Sequence, residues 1–557
     1  MKLREHLTLL TIASLTLATD GVAASIQTFS ETHELLPNEG SIYSEFGFSC
    51  DFSGTTGIIG APNDPVNGYS SGAAYLFDLS TGQELFKLSA ADGETADNFG
   101  WTVAIHGDLA VIGAPFNQDL GLFTGSIYLF DVDTGAELAK ILPNDVQGGY
   151  RFGYSVAMSD DLIFAGALYD LGPAHNAGSV YVIDRVTHQV LSKLLASDSA
   201  VGNKFGSSLD VSGETVIVGA TGNNDGRGCA YLFDISDPLN PRELAKLTAT
   251  DGAPVDYFGT DVAIDGDSAI VSSPNADIDG VQNIGAAYIF DVNSGAELHK
   301  LTPPWVETNS FAASVSISGD TAIVGDPHAN IDLDGAGAAY AYRVQWGTLT
   351  ARLEPSHSTS NWGDMAGASV EIQGNTVLLG APWHDHEGSS YGAAHLFHIA
   401  PGYPFCFGDS FSSPHCPCGN SGDMGEGCSN STGAGASLRA VGSTNISFDN
   451  LVLETSGLPE GAGIFFQGND PVWFGPPQTM VGVPFGDGMR CVGGGVVRLE
   501  VRYSNGGVSQ TTTSLASKGK VSPGEIKYYQ CFYRDVNGSP CGSLFNLSNG
   551  YQIKWTP

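Results

Sequence analysis

The chain has 557 residues, of which 42% are hydrophobic and 73 are glycine, a composition that excludes a disordered chain and a collagen-like fibre. Its 60 acidic and 23 basic residues give a formal net charge of -37 at pH 7, so nucleic acids and anionic lipid surfaces are not expected partners. Cations, or surfaces that carry them, are more compatible with this charge.

The first 24 residues have the pattern of a secretory signal. Lys2 and Arg4 form a basic start, Leu7–Ala18 is an apolar core, and Val22–Ala24 supplies small residues at a cleavage site. A membrane anchor is the alternative, but the apolar run is shorter than the roughly 20 residues of a spanning helix. We therefore expect a secreted or cell-surface protein with no transmembrane helix in its mature chain.

A repeat with a period of 53 residues follows this segment. Its first marker is a phenylalanine, usually followed by glycine, at Phe46, Phe99, Phe152, Phe205, Phe258 and Phe311, and a degraded seventh copy has Ala366-Gly367 in its place. The second marker comes fourteen residues later, at Gly60, Gly113, Gly166, Gly219, Ser272, Gly325 and Gly380, often before Ala-Pro. Self-similarity at a fixed period of this length indicates a repeat architecture.

Each repeat contains the patterns of four short strands. The first, such as Thr102–Ile105, alternates in polarity, and a glycine turn connects it to a continuously apolar strand such as Ala110–Ile112. The third carries Gly-x-x-Tyr-x-x-Asp, and the fourth ends in Lys-Leu or Lys-Ile, where lysine would protect a sheet edge. Four antiparallel strands repeated seven times predict an all-β, seven-bladed β-propeller.

The last repeat lacks a fourth strand of its own, because it passes from His395–Phe397 directly into Pro401 and a cysteine-rich stretch. The missing pattern is at the other end of the chain, where Glu34–Asn38 precedes the first marker as Ala139–Asn144 precedes the third. We therefore expect the mature N-terminus to complete the last blade and close the ring.

The remaining third of the chain has no period and holds most of the nine cysteines. Cys50 and Cys229 lie in the repeats, where Cys50 occupies a core position, and the others are Cys406, Cys416, Cys418, Cys428, Cys491, Cys531 and Cys541. Export favours disulfides among them, and a zinc knuckle is the alternative. Strand-like runs after residue 435 predict a small β-sandwich.

These patterns divide the chain into a signal peptide at 1–24, a propeller at 25–400, a cysteine-rich disulfide segment at 401–434 and a C-terminal β-sandwich at 435–557. The composition changes at each of these boundaries.

The Phe-Gly marker, the Gly-Ala-Pro segment and the constant spacing over residues 31–400 resemble FG-GAP repeats of the exported bacterial type, which are similar to the propeller of integrin α subunits. The resemblance implies a seven-bladed propeller that receives ligands on its loops. Integrin-like propellers hold calcium in an acidic loop between the first two strands of some blades. That property is not expected here, because the connection is only a short glycine turn such as His106–Asp108.

Two other loops have the oxygen-ligand spacing of a compact calcium site. The first comprises Asn275, Asp277, Asp279 and Asn283, and the second comprises Asn330, Asp332 and Asp334. Calcium is the one cofactor that the sequence suggests. The alternative is that these residues simply form solvated turns, for which Asp, Asn and Gly are common.

A third candidate is the run Trp383-His384-Asp385-His386-Glu387, which could hold a transition metal or serve acid-base chemistry, although a polar loop tip is the simpler interpretation. We find no nucleophile elbow, zinc-protease motif or phosphate-binding glycine loop, and hence no catalytic residues to propose. The third and fourth strands are also similar to quinoprotein repeats, but the docking tryptophan of those repeats is missing.

Antiparallel order places the loops between the second and third strands at the same end as the connections between repeats, and both are rich in aspartate. We therefore expect an exported, non-enzymatic binding or adhesion protein whose protein or polysaccharide ligand lies on one acidic loop face. The alternatives are an enzyme built on the propeller, either a hydrolase or a quinoprotein-like oxidoreductase, and a structural protein of the cell envelope.

Overall fold

The structure is a computed structural model that describes residues 27–29, 31–143, 145, 147–172, 174–304, 310–329, 336–356, 363–386, 389–399, 403–405, 416–417, 420–422, 426–442, 444–447, 450–474, 480–481, 483–535 and 542–555. The expected signal peptide lies outside the described residues. Within those ranges, no helix has the length and apolar character needed to cross a membrane.

Seven four-stranded antiparallel sheets account for the repeat region of the described chain. Sheet 1 comprises Ser49–Ser53, Thr56–Ala61, Ala73–Asp78 and Gln83–Leu88. Sheet 2 comprises Thr102–His106, Leu109–Ala114, Ser126–Asp131 and Glu137–Ile141. Sheet 3 comprises Phe152–Met158, Leu162–Ala167, Ser179–Asp184 and Val190–Leu194. Sheet 4 comprises Phe205–Ser212, Thr215–Ala220, Cys229–Asp234 and Arg242–Leu247. Sheet 5 comprises Val262–Asp265, Ser268–Ser273, Ala286–Asp291 and Glu297–Leu301.

The last two sheets of the repeat region include strands from the start of the chain. Sheet 6 comprises Val315–Ser318, Thr321–Asp326, Ala338–Arg343 and Leu349–Leu353, with Gln27–Phe29 added in parallel to its fourth strand. Sheet 7 comprises Ser369–Gln373, Thr376–Ala381, Ala393–His398 and, from the N-terminus, Glu31–Leu35. In the last pairing Glu34 lies opposite His395 and Leu35 opposite Ala394. The parallel strand Gln27–Phe29 was not among the predicted strands.

The strands of sheets 1 to 5 follow the chain order, and the all-β prediction with its repeated four-stranded sheets is confirmed. The second and third strands are buried along almost their whole length, as their continuous apolar runs predict. A β-bulge interrupts the pairing of the third and fourth strands, as between Glu137 and Ala139. The marker phenylalanine packs edge-on against two rings of its own third strand, as Phe99 does against Tyr128 and Phe130.

Neighbouring sheets approach each other through their main chains. The N–H of Phe99 donates to the carbonyl oxygen of Ser71 in the preceding sheet at 3.0 Å, and the N–H of Phe46 donates to Tyr391 in sheet 7 at 3.2 Å. A Cβ atom built on Gly113 would overlap the carbonyl oxygen of Gly153 in the next sheet. The same overlap would occur at Gly60, Gly166, Gly219, Gly325 and Gly380, the last of them against Gly47 of sheet 1. The second marker is therefore glycine because a carbonyl of the next sheet occupies the space of a side chain.

At the contact between sheets 5 and 6, the two positions that are glycine in most repeats both carry another residue. Ser272 replaces the second marker of sheet 5, and Ala312 replaces the glycine after Phe311 in sheet 6. The Ser272 hydroxyl accepts the N–H of Asp261 at 2.8 Å, so this side chain bonds within its own sheet. The two irregular positions in the sequence thus lie on opposite sides of a single contact.

The C-terminal residues form two larger sheets and several short strand pairs. The first sheet comprises Tyr403–Phe405, Gly550–Lys554, Ile526–Arg534, Ala462–Gly468, Val497–Tyr503 and Phe545–Leu547, and the second comprises Ser437–Val441, Val452–Ser456 and Ser509–Gln510. The short pairs are Asp470–Pro471 with Val492–Gly493, Trp473–Phe474 with Met480–Val481, and Val483–Phe485 with Gly488–Arg490. A further short pair, Asp385–His386 with Ser389–Ser390, lies in the loop between the second and third strands of sheet 7. A helix spans Leu515–Gly519, and Asn223–Gly226 in sheet 4 is a single turn that contains left-handed residues.

The two larger C-terminal sheets share one hydrophobic cluster, to which the smaller contributes Leu438 and Leu453 and the larger contributes Phe465, Tyr529 and Trp555. We refer to this part, residues 403–555, as the C-terminal module. It touches the propeller-like part at the turn of sheet 7, where Asn375 Nδ2 donates to the carbonyl oxygen of Gly442 at 3.2 Å. That turn lies at the end of the sheets opposite the loops that follow Gly-Ala-Pro.

The cysteines are used in two ways. Cys416 and Cys428 form a disulfide, and Cys491 is disulfide-bonded as well. This pairing supports the disulfide interpretation over a zinc knuckle, and Cys406, Cys418 and Cys541 lie outside the described residues. Cys50, Cys229 and Cys531 are free, and burial raises the pKa of the Cys229 thiol to about 11 and that of Cys531 to about 12. The thiols of Cys229 and Cys531 are therefore protonated and inert at neutral pH.

The close main-chain contact predicts a strong effect of one added methyl group. We expect Gly113→Ala to lower the free energy of unfolding by about 3 kcal/mol, because the new Cβ must displace the neighbouring sheet. Gly107→Ala is the matched control, since its Cβ would meet no atom closer than 3.9 Å. Its backbone is left-handed, with a φ of 61°, so we expect this variant to lower the free energy of unfolding by only about 1 kcal/mol. Urea unfolding of both variants measures the difference, and equal losses would refute the steric explanation.

Candidate ligand-binding face

The loops between second and third strands and the connections between sheets lie at one end of the seven sheets, which we call the loop face. Large apolar side chains are exposed on it, at Ile42, Tyr43, Tyr69, Leu120, Leu122, Val201, Val255, Tyr257 and Trp383. Several loop-face residues other than glycine have positive φ, including Tyr43 at 64°, Phe123 at 55° and the β-branched Val255 at 66°. Apolar exposure together with strained backbone is a common property of binding surfaces.

Most aspartates predicted to give this face its charge are engaged inside the sheets. In sheet 2 the Lys140 ammonium lies 5.0 Å from the Tyr128 ring centroid, contacts Asp119 and is 2.8 Å from Asp92, whose other oxygen accepts the Tyr128 hydroxyl at 2.9 Å. Burial alone would raise the pKa of Asp92, but the hydrogen bonds from Lys140 and Tyr128 lower it overall. Equivalent groups are Tyr75 with Lys87 and Asp64, Tyr181 with Lys193 and Asp145, Tyr231 with Lys246 and Asp198, and Tyr288 with Lys300 and Asp251.

These groups change the interpretation of two sequence features. The repeated lysine bonds an aspartate and covers a tyrosine ring rather than simply guarding an edge. Asp64, Asp97 and Asp256 are buried, whereas Asp225 and Asp277 are exposed. The face therefore has fewer free carboxylates than the composition suggests, and its exposed apolar side chains are correspondingly more prominent.

Sheet 7 carries the same arrangement with the charges exchanged. His395 takes the place of the tyrosine, Glu34 of the N-terminal strand takes the place of the lysine, and His384 takes the place of Asp64. His384 is 2% exposed, with Nε2 3.1 Å from Glu34 Oε1 and Nδ1 3.4 Å from Asp364 Oδ2, and these two carboxylates raise its pKa to about 9 against the effect of burial. The N-terminal strand thus brings Glu34 to the position where the fourth strands of sheets 1 to 5 carry a lysine.

The same strand makes a second contact between a carboxylate and an imidazole. His395 Nδ1 lies 2.8 Å from Glu31 Oε1, and Glu31 Oε2 accepts the N–H and the hydroxyl of Ser356 at 2.9 and 2.8 Å. Burial would raise the pKa of Glu31, but the bonds from His395 and Ser356 lower it to about 2. The carboxylate therefore stays ionised through the physiological range.

The first strands of all seven sheets surround a central channel with a cavity of about 850 Å³. Carboxylates on its wall bridge neighbouring sheets, as Asp51 Oδ2 accepts the N–H of Ile105 at 2.7 Å and Asp261 Oδ2 accepts that of Val315 at 2.8 Å. Burial raises the pKa of both aspartates to about 7, with a further contribution from Asp210. Burial also raises the pKa of Glu371, and the negative charge of Asp51 adds to the shift. These channel carboxylates were not among the candidates that the sequence suggested.

The first predicted calcium loop forms a tight turn. Ile278 is buried and exchanges two hydrogen bonds with Val281, and the intervening Asp279 and Gly280 have φ of 50° and 82°. Asp277 Oδ1 accepts the N–H of Asn283 at 3.0 Å. Across the described residues, no three His, Cys, Asp or Glu side chains converge as metal ligands. The second loop, with Asn330, Asp332 and Asp334, lies outside the described residues, and calcium binding remains a prediction.

The candidate run after Trp383 is split by the structure. Trp383 is exposed. His384 is buried and contacts Glu34 and Asp364, so it does not belong to the polar loop tip that the sequence predicted. An alignment of the repeats could have predicted the inward position of His384, because His384 aligns with Asp64 and His395 with Tyr75. Glu387 and the side chain of His386 lie outside the described part of the chain.

The chain was compared with known protein families and with curated proteins. A family model described as FG-GAP repeat matches residues 29–77, 83–130, 136–183, 189–233, 241–290 and 297–342. A search of curated proteins finds no match to the chain. Each matched segment begins near the fourth strand of one sheet and ends in the third strand of the next, so the sequence repeat is offset from the sheet. The first segment accordingly contains Glu31–Leu35, which pairs in sheet 7.

The channel carboxylates predict that stability falls as pH rises. A folded-state pKa near 7 lies above the unfolded value of about 4, so the folded protein binds more protons between these values and loses stability as the pH rises from 5 to 8. We expect Asp261→Asn to flatten the slope of melting temperature against pH in this range. Asp133→Asn, at an exposed turn, is the control. An unchanged slope in the Asp261 variant would contradict the assignment.

The exchanged charges of sheet 7 predict that the stability lost in one variant can be recovered by two further substitutions. Glu34→Lys places a cation beside the protonated His384 and should cost about 2 kcal/mol at pH 7. Adding His384→Asp and His395→Tyr recreates the group found in the other sheets and should recover most of the loss. Because the raised pKa of His384 is about 9, its stabilising effect is lost as pH rises through that value, and Glu34→Gln should then cost little. Thermal unfolding measures each step, and a triple variant no more stable than Glu34→Lys would refute the explanation.

Proposed function

Because this chain belongs to the FG-GAP repeat family, we propose that it is an exported, non-enzymatic binding or adhesion protein that holds its ligand on the loop face. The observation that carries this proposal is the concentration of exposed apolar side chains and left-handed residues on that face. The ligand is a protein or a polysaccharide. A disulfide and a sequence start typical of secretory signals support an extracellular or cell-surface location.

We also propose that the seven sheets are the blades of a closed propeller. Support comes from the hydrogen bond between Phe46 and Tyr391, which joins sheet 1 to sheet 7, and from the pairing of Glu31–Leu35 with Ala393–His398. A ring closed by its own N-terminal strand gives the loops a rigid base. Rigid loops lose less conformational entropy when a ligand binds.

The C-terminal module supports a display role for the loop face. Its contact with Asn375 is at the opposite end of sheet 7. In this proposal the module, a disulfide-bonded β-sandwich, serves for attachment and leaves the loops accessible. Calcium at the Asn275–Asn283 loop would add a ligand-dependent increase in melting temperature, because an ion that binds the folded state stabilises it.

The proposal predicts that one end of the molecule is sensitive to substitution. Leu120 and Leu122 are 55% and 63% exposed on the loop face, and Leu120→Asp with Leu122→Asp should reduce binding of the purified protein to cells or matrix polymers at least about tenfold. Val186→Asp is the matched control, since Val186 is 84% exposed at a turn of the opposite end. Surface-immobilised protein and a cell and polymer binding assay provide the measurement.

Two results would contradict the proposal. One is that the purified protein binds neither cells nor matrix polymers. The other is that Val186→Asp lowers binding as much as the loop-face pair, with melting temperatures unchanged in both, because the binding surface would then not be the loop face.

A further inference from the structure

The mouth of the central channel on the loop face is different on its two sides. The residue two positions after each first marker lines this mouth. It is Phe48, Trp101 and Tyr154 in sheets 1 to 3. In sheets 4 to 7 it is small, at Ser207, Thr260, Ala313 and Ala368. One side of the mouth is therefore aromatic, and the other is open.

The aromatic side continues outward as one strip. Trp101 lies 4.8 Å from Phe48, 5.6 Å from Tyr154 and 5.3 Å from Phe116 between ring centroids, and Phe116 lies 5.6 Å from Phe123. All five residues are half-buried, so each retains an accessible part, and the Arg151 guanidinium lies 4.8 Å from the centroid of the Phe116 ring. We call these five residues the aromatic strip. It extends from the channel mouth to the loop of sheet 2.

The channel below the strip is polar. Serine hydroxyls and the carboxylates of Asp51, Asp210, Asp261 and Glu371 line it, and no lysine or arginine is among its described lining residues. A sugar ring has C–H faces that pack on aromatic rings and hydroxyls that donate to carboxylates. A folded protein surface cannot enter a channel of about 850 Å³, whereas the end of a polymer chain can. Above pH 7, where Asp51 and Asp261 are ionised, the wall would repel an anionic polymer.

We propose that the aromatic strip and the channel mouth form a subsite for a neutral polysaccharide, which stacks along the strip and directs its terminal sugar into the channel. This inference rests on the proposed function and specifies its ligand class.

Affinity electrophoresis and tryptophan fluorescence at pH 8 with laminarin and hexa-N-acetylchitohexaose test this subsite, with alginate as the anionic comparison. We expect at least one neutral probe to bind and alginate not to bind. Trp101→Ala should weaken binding about tenfold and Trp101→Phe much less, because a ring remains for stacking. Trp346→Ala is the matched control, since Trp346 is an exposed tryptophan at a turn away from the loop face.

A second variant guards against misfolding of Trp101→Ala. Ala368→Trp leaves the strip intact and narrows the mouth from its open side, so it should also weaken binding while the melting temperature stays near that of the parent protein. Equal effects of Trp101→Ala and Trp346→Ala would overturn the inference.

The outcomes separate this inference from the proposed function. If neither neutral probe binds while cells or other polymers still bind in a manner sensitive to Leu120 and Leu122, the glycan subsite is refuted and the proposed function stands. Displacement of a bound neutral probe by spermine would show that the mouth selects cations, and would also overturn the inference. Failure of every binding assay refutes both.

Discussion

The structure depends on the close approach of main chains between neighbouring sheets. At every such contact except that between sheets 5 and 6, a carbonyl oxygen of one sheet lies where the second-marker glycine of the preceding sheet would carry a Cβ atom. The N–H of each marker phenylalanine also bonds to a loop of the preceding sheet. Neither interaction depends on a variable side chain, so the same contact is repeated from sheet to sheet, and between sheet 7 and sheet 1, at a nearly constant period.

This use of the main chain leaves the side chains at the loop end available for other interactions. In most sheets they form a group of tyrosine, lysine and aspartate that neutralises part of the large negative charge. Sheet 7 uses histidines and Glu34 in the same places. This exchange makes the N-terminal strand different from the fourth strands of the other sheets, because a lysine in place of Glu34 would lie beside the protonated His384. Charge thus adds specificity to a pairing that backbone hydrogen bonds alone would not restrict.

The two ends of the sheets have different roles. The end with short glycine turns contacts the C-terminal module through Asn375, and the end with longer loops carries most of the non-glycine residues with positive φ and a set of exposed apolar side chains. Strain of this kind persists only where the surrounding structure holds it in place. The rigid sheets below the loops provide that support.

The amino-acid sequence alone established the repeat, the strand patterns and the similarity of residues 34–38 to a fourth strand, because each of these is encoded in local order and spacing. It also identified the family. It did not determine that the repeated lysines bond aspartates, that His384 is directed inward, or that Phe48, Trp101 and Tyr154 line one mouth. Those facts join residues that are from about 20 to 350 positions apart in the sequence, and only the tertiary arrangement of the strands brings them together. The same reason explains the channel carboxylates, whose raised pKa values arise from burial among neighbouring sheets that a linear pattern does not reveal.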